Sequence, residues 1–181
     1  VPVPQILDNE VLIRVRATGV CGTDLHIFDW DDWSAGRCKP PFTVGHEFAG
    51  DVAEVGKLVT DVGVGDRVTA EGHIVCGRCH MCRTGNGHIC EKVDILGIDT
   101  NGCFAQFVAV PEENVWPVHP EIPDQIAAIF DPLGNAVHTV MACQDDPELR
   151  AAVEGASFTV PDGQPLVWAL NALGHRLQDR V

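Results

Sequence analysis

Val11, Ile13, Val15 and Ala17 alternate with Leu12, Arg14 and Arg16, the period-two pattern of a strand with one buried face, and Gly19 ends the run. That strand delivers Cys21 into a loop. Phe48 to Val55 and Arg67 to Ala70 read as short strands separated by glycine turns, and Phe104 to Val110 reads as another after the Asn101-Gly102 turn. Residues 29–41, with three aspartates, Gly36, Pro40 and Pro41, read as an irregular surface loop. Pro111 to Pro123 reads as a proline-broken connection. Asp124 is placed to cap a short helix through Phe130, and a second helix entered near Asn135 carries Val137, Val140 and Met141. The pattern predicts a mostly β domain with a few short helices.

Two stretches depart from it. Residues 72–103 are rich in Gly, Cys and His and have little apolar periodicity, so something other than a core must hold them. After Cys143 the character changes again: Asp145, Asp146, Pro147 and Glu148 form a polar helix start, and Asp162-Gly163 precedes the apolar run Leu166 to Leu173. We therefore expect a domain over residues 1–143 and an unassigned, helical tail over 144–181.

Composition narrows the function classes. Against 26 acidic side chains there are 12 basic ones, a net charge of −14, which argues against nucleic acid or an anionic membrane surface as partner. No apolar run approaches the roughly 18 residues of a membrane span, and Val1 to Leu12 lacks the pattern of a secretory signal, so the expected location is the cytoplasm.

Cys76, Cys79, Cys82 and Cys90 have the spacing C-x2-C-x2-C-x7-C, which can bring four thiolates around one tetrahedral ion and close its coordination shell. The site would be structural zinc. An iron-sulfur cluster is the competing reading, but ferredoxin spacings usually place the last cysteine after three residues and before proline, whereas Cys90 follows after seven and precedes Glu91. With the shell complete, His80 and His88 read as solvated. Cys38, Cys103 and Cys143 read as small buried or loop residues.

Cys21, His46 and Glu47 offer a softer and more open set: sulfur, imidazole and carboxylate suit zinc with a position left for water or substrate. On residue types alone, such a trio also arises by chance. The segments CGTDLHI, GHEFAGDVAEVG, VGDRV, CGRCHMCRTGNGHIC and GCFAQFVAVP, in that order, resemble the catalytic domain of the zinc-containing medium-chain alcohol dehydrogenases, a GroES-like fold. HIFDWDDW, Glu71-Gly72-His73 and AAIFDPLGNAVHT narrow the resemblance to the branch that oxidises L-threonine. The resemblance implies catalytic zinc on Cys21, His46 and Glu47, with Asp131 as a further carboxylate, and structural zinc on the four-cysteine lobe. It implies a proton relay through Thr23 and His26, and a substrate-lining place for His73. Asn135 and His138 fall within or beside the matched segments and are equally explained by capping and packing.

The family's hydride acceptor is NAD held by a Rossmann domain, whose GxGxxG signature is not found in this sequence, so no cofactor-binding residue is assigned. A family strand before Val1 is likewise not found. The expected activity is NAD-dependent oxidation of L-threonine to 2-amino-3-oxobutanoate, incomplete without a cofactor domain. The partners expected are an amino-acid or alcohol substrate and further copies of the chain in a homo-oligomer. A non-catalytic zinc module and a dehydrogenase of another alcohol or polyol are the alternatives.

Overall fold

The computed structural model describes residues 1–134 together with 137, 141, 146–148 and 151. The chain divides into two compact units, Val1–Ala128 and Ile129–Val181.

The first unit is built on β1 (Glu10–Thr18), β2 (Phe48–Val55), β3 (Arg67–Ala70), β6 (Phe107–Pro111) and β7 (Val115–Pro117), paired antiparallel in the order β6–β1–β2–β3–β7. Val11 and Ile13 of β1, Phe48 and Val52 of β2, Val68 of β3, and Val108 and Val110 of β6 form its core with Leu96 and Cys103. Alternation does this: the inward residues of each strand meet across the sheet, while Arg14 and Arg16 face outward. Arg16 reaches Asp51 at 3.1 Å and Asp124 at 2.9 Å. A second, two-stranded sheet pairs β4 (His73–Ile74) with β5 (Asp94–Ile95), and the short helix α3 (His80–Arg83) lies between them in sequence.

Five expectations shift. Gly22–Asp29 is helix α1, with Cys21 at its N-cap, rather than loop. Asp32–Arg37 is helix α2 inside the stretch read as irregular. Both are too short to show helical periodicity. The strand read as starting at Phe104 starts at Phe107, because residues 102–104 instead bond to Thr43, Val44 and Gly45. The proline-broken connection contains β7, a three-residue edge strand that ends on Pro117, which disguises it in the sequence. Helix α4 (Asp124–Ala127) is shorter than expected and is capped by Pro123; the Asp124 carboxylate is spent on Arg16 and Arg67.

In the second unit, residues 130–134 are helical, and the Leu133 N–H donates to the Ile129 carbonyl at 3.1 Å. Asn135, His138, Cys143 and nearly all of the 144–181 tail lie outside the described residues.

Candidate metal centres

Strand pairing closes the 25-residue gap between Cys21 and His46. Thr18 at the end of β1 pairs with Phe48 at the start of β2, and the Gly19 N–H extends that ladder to the Glu47 carbonyl at 2.9 Å. Cys21 therefore leaves one strand beside the place where His46 and Glu47 enter the next. Ligand atoms of the three lie within 4.8 Å of one another. His46 and Glu47 are buried and Cys21 half-buried. Gly45 makes the approach possible: its φ is +94° and a Cβ there would lie 2.3 Å from the Phe104 ring.

Asp24 organises this cluster, and the sequence reading did not single it out. Its Oδ2 accepts the Cys21 N–H at 2.8 Å, while its Oδ1 faces His46 Nδ1 at 3.8 Å. Both of those facing atoms are buried without a hydrogen-bond partner. A carboxylate behind one ring nitrogen orients the imidazole and leaves the opposite one, Nε2, for an ion. The spacing Cys21-x2-Asp24 matches a capping box, the one signal that pointed to it. Burial pushes the Cys21 thiol upward, although the Thr23 hydrogen bonds oppose this, and the neighbouring Glu47 and Asp24 carboxylates add to the rise. A divalent cation reverses that balance, because a coordinating thiol loses its proton outright. Sulfur, nitrogen and carboxylate around one buried point thus fit zinc.

Thr23 and His26 sit three residues apart on α1, one turn from each other on the same side. The Cys21 thiol donates to Thr23 Oγ1 at 3.7 Å. His73 opens β4, with its Nδ1 2.6 Å from Glu71 Oε1. The preceding Gly72 lies against His46, since a Cβ on Gly72 would come 3.6 Å from the His46 Cβ. Asn114 Nδ2 donates to the carbonyls of Glu71 and His73, at 2.9 Å each, and fixes that corner. Asp131 lies in the helical residues of the second unit and is half-buried.

The second centre is local. Ligand atoms of Cys76, Cys79, Cys82 and Cys90 also lie within 4.8 Å of one another, with Cys79 Sγ 3.5 Å from Cys82 Sγ and 3.9 Å from Cys90 Sγ. Four sulfurs on a tetrahedron of zinc-sulfur bonds near 2.3 Å would stand about 3.8 Å apart, so the sulfurs fit that ion. Backbone N–H groups point at them, Cys76 to Cys90 at 3.4 Å, Cys82 to Cys79 at 3.5 Å and Lys92 to Cys90 at 3.3 Å. The N–H groups of Cys82 and Glu91 pull the Cys79 thiol down to about 6. Desolvation and the adjacent Cys79 sulfur push Cys82 up. His80 and His88 are exposed, and neither belongs to the cluster.

Residues 7–121 match the profile of a family described as the alcohol dehydrogenase GroES-like domain. The chain belongs to that family. An L-threonine 3-dehydrogenase of Caldanaerobacter subterraneus subsp. tengcongensis is 58% identical to this GroES-like chain over 140 residues, covering 77% of the chain and 40% of the relative. Among solved structures, a zinc-binding dehydrogenase from Sinorhizobium meliloti 1021 bound to NADP aligns with a TM-score of 0.72 at 34% identity, covering 78% of this chain and 40% of that one. A cobalt- and zinc-bound thermostable alcohol dehydrogenase from Pyrobaculum aerophilum aligns with a TM-score of 0.65 at 34% identity, covering 72% and 39%. The chain thus spans about two fifths of the length of the curated relatives it matches. Residues 133–181 match a second profile, that of the glycosyl transferase WecG/TagA/CpsF family. Among the described residues no helix is long and apolar enough to cross a membrane.

Proposed function

We propose that this GroES-like domain is the substrate-activating part of a zinc-dependent, nicotinamide-linked oxidoreductase that converts L-threonine and NAD to 2-amino-3-oxobutanoate, NADH and a proton. The observation that carries the reading is the convergence of Cys21, His46 and Glu47 within 4.8 Å; the high identity to threonine dehydrogenases supports the substrate. Zinc held there would stabilise negative charge on a hydroxyl facing it. Around that point Asp24 orients His46. Thr23, which accepts the Cys21 thiol hydrogen bond at 3.7 Å, accepts the substrate proton and hands its own to His26, whose imidazole passes it to water. His73, fixed beside His46 by Asn114, lines the place where the amino acid lies. A second zinc in the Cys76, Cys79, Cys82 and Cys90 lobe stiffens residues 72–103.

Seven cysteines among the described residues are free, which supports a reducing, cytoplasmic setting. The exposed Phe28, Trp30 and Trp33 support assembly of copies into a homo-oligomer. The match of residues 133–181 to an unrelated family favours a second reading, in which the domain keeps its zinc but serves as a binding module.

Elemental mass spectrometry on protein purified without added metal tests the metal half: two zincs per chain are expected, one lost in Cys79→Ser and the other in His46→Ala. Grafting residues 7–121 into the Caldanaerobacter enzyme in place of its equivalent stretch tests the chemistry. Threonine-dependent NADH production supports the first reading, and a folded, zinc-loaded chimera without it supports the second.

A further inference from the structure

Helices α1 and α2 meet in a tight reversal at Trp30, which takes the left-handed conformation at φ 53° and closes α1. The reversal returns the chain so that the Asp31 N–H meets the His26 carbonyl at 3.4 Å. Asp31 then does two things with two oxygens. Oδ1 accepts the Ser34 N–H at 2.9 Å and caps α2, while Oδ2 sits 2.6 Å from His26 Nδ1. Ser34, fully buried, donates its hydroxyl at 3.0 Å to the carbonyls of both His26 and Asp31. The Trp33 ring stands edge-on to the imidazole with centroids 6.3 Å apart. Nothing in the sequence reading gave Asp31 a role.

We propose that Asp31 is a positioning residue that fixes His26 as its Nδ1–H tautomer, so that Nε2 keeps the lone pair a proton relay needs. This rests on the reading of Thr23 and His26 as that relay. The reasoning is one of donors and acceptors. An ionised carboxylate only accepts, so the ring nitrogen 2.6 Å from it must donate. The backbone N–H of Ser34, and then His26 itself, hold the Asp31 carboxyl below the usual aspartate range and so keep it ionised. With the proton at Nδ1, Nε2 is left bare. Thr23 takes the hydroxyl proton of a substrate and gives its own to Nε2; the imidazolium is balanced by Asp31, and the Nε2 proton leaves to water, restoring the starting tautomer. Solvated histidine side chains favour the opposite, Nε2–H form. The pair is also exposed, His26 at 64% and Asp31 at 37% of their side chains, so its effect lies in orientation more than in stability.

Asp31→Asn separates the two tasks. Asparagine caps a helix about as well as aspartate, but its amide nitrogen would donate to Nδ1 and force the proton onto Nε2. The experiment is nitrogen-15 NMR of the imidazoles in the full chain at about pH 9, above the ordinary histidine range, with His26 assigned by its loss in His26→Gln. In the wild type the His26 Nδ1 signal is expected in the protonated position and Nε2 in the bare one. In Asp31→Asn they exchange places. Ser34→Ala, which loosens the reversal but keeps the carboxylate, is expected to leave the tautomer unchanged. A wild-type His26 already in the Nε2–H form, or no change in Asp31→Asn, overturns the proposal. Zinc content measured on the same samples keeps the readings apart: absent zinc with the tautomer switch intact sinks the catalytic reading and leaves the Asp31 geometry standing.

Discussion

The two candidate metal centres of this chain are built by opposite means. The four-cysteine lobe gathers its ligands from fifteen consecutive positions through turns and a four-residue helix, while the Cys21 centre gathers three ligands from two segments that meet only because β1 and β2 pair. The lobe has little core of its own, so an ion would organise the chain there; at the Cys21 centre the pairing of β1 with β2 places the candidate ligands. The lobe should therefore depend on metal for its folding, and the Cys21 centre should depend on the sheet and on the groups behind its ligands.

Removing a lobe ligand should give the largest effect. Structural zinc contributes on the order of 10 to 16 kcal/mol of apparent binding free energy to domains without a core, and most of residues 76–90 are half-buried or exposed. Cys79→Ser is expected to release one zinc and to abolish amide hydrogen-exchange protection over residues 76–90, while β1, β2 and β6 keep theirs. If protection falls uniformly across both regions, the lobe is a working part of the core and the contrast fails.

Asp24→Asn sharpens the other side. The change is nearly isosteric and keeps an oxygen for the Cys21 N–H, but it removes the charge facing His46 Nδ1 at 3.8 Å. Loss of such a partner typically weakens a metal site about 10- to 100-fold. Chelator competition should show that loss at the Cys21 centre alone, with lobe affinity unmoved. Equal weakening of both sites would mean that Asp24 acts through global stability and not through His46.

The same contrast explains what could be read from the sequence. The lobe was legible because its information is local: C-x2-C-x2-C-x7-C states both the ligands and the spacing of the turns. The strands at 11–17, 48–55 and 67–70 were legible because one buried face imposes alternation. Cys21, His46 and Glu47 carried no local signal of proximity, and only the family resemblance joined them ahead of the structure. Helices α1 and α2 were hidden because eight and six residues hold too few turns for periodicity, leaving only their caps as a sign. Asp24 and Asp31 passed unnoticed for the same reason, each looking like one more surface aspartate in a chain of net charge −14. What makes them distinctive is the second oxygen, aimed at a histidine, and no spacing rule reports where that oxygen points.

Cys103 gives the smallest effect and the one that reads the packed region directly. It is fully buried, and its thiol donates to the Glu47 carbonyl at 3.6 Å, so it lies immediately behind the Cys21 centre. Desolvation pushes the thiol up to about 12 from an ordinary value of 9, with Asp24 adding to the rise. The sign follows from proton counting. As pH rises above the ordinary value, the unfolded chain loses this proton while the folded chain holds it, so the unfolded state gains and stability falls up to the folded value. At neutral pH both states are protonated, and the thiol contributes nothing to the pH dependence. Urea unfolding at about pH 8 and about pH 10, on either side of the ordinary thiol range, should show wild type losing stability and Cys103→Ala losing less. Because Cys38 is also raised by burial, the slope should shrink without vanishing. An unchanged slope in Cys103→Ala would mean that water reaches Cys103, and that the sheet beneath the Cys21 centre is looser than the packing of Phe48, Val68 and Leu96 around it requires.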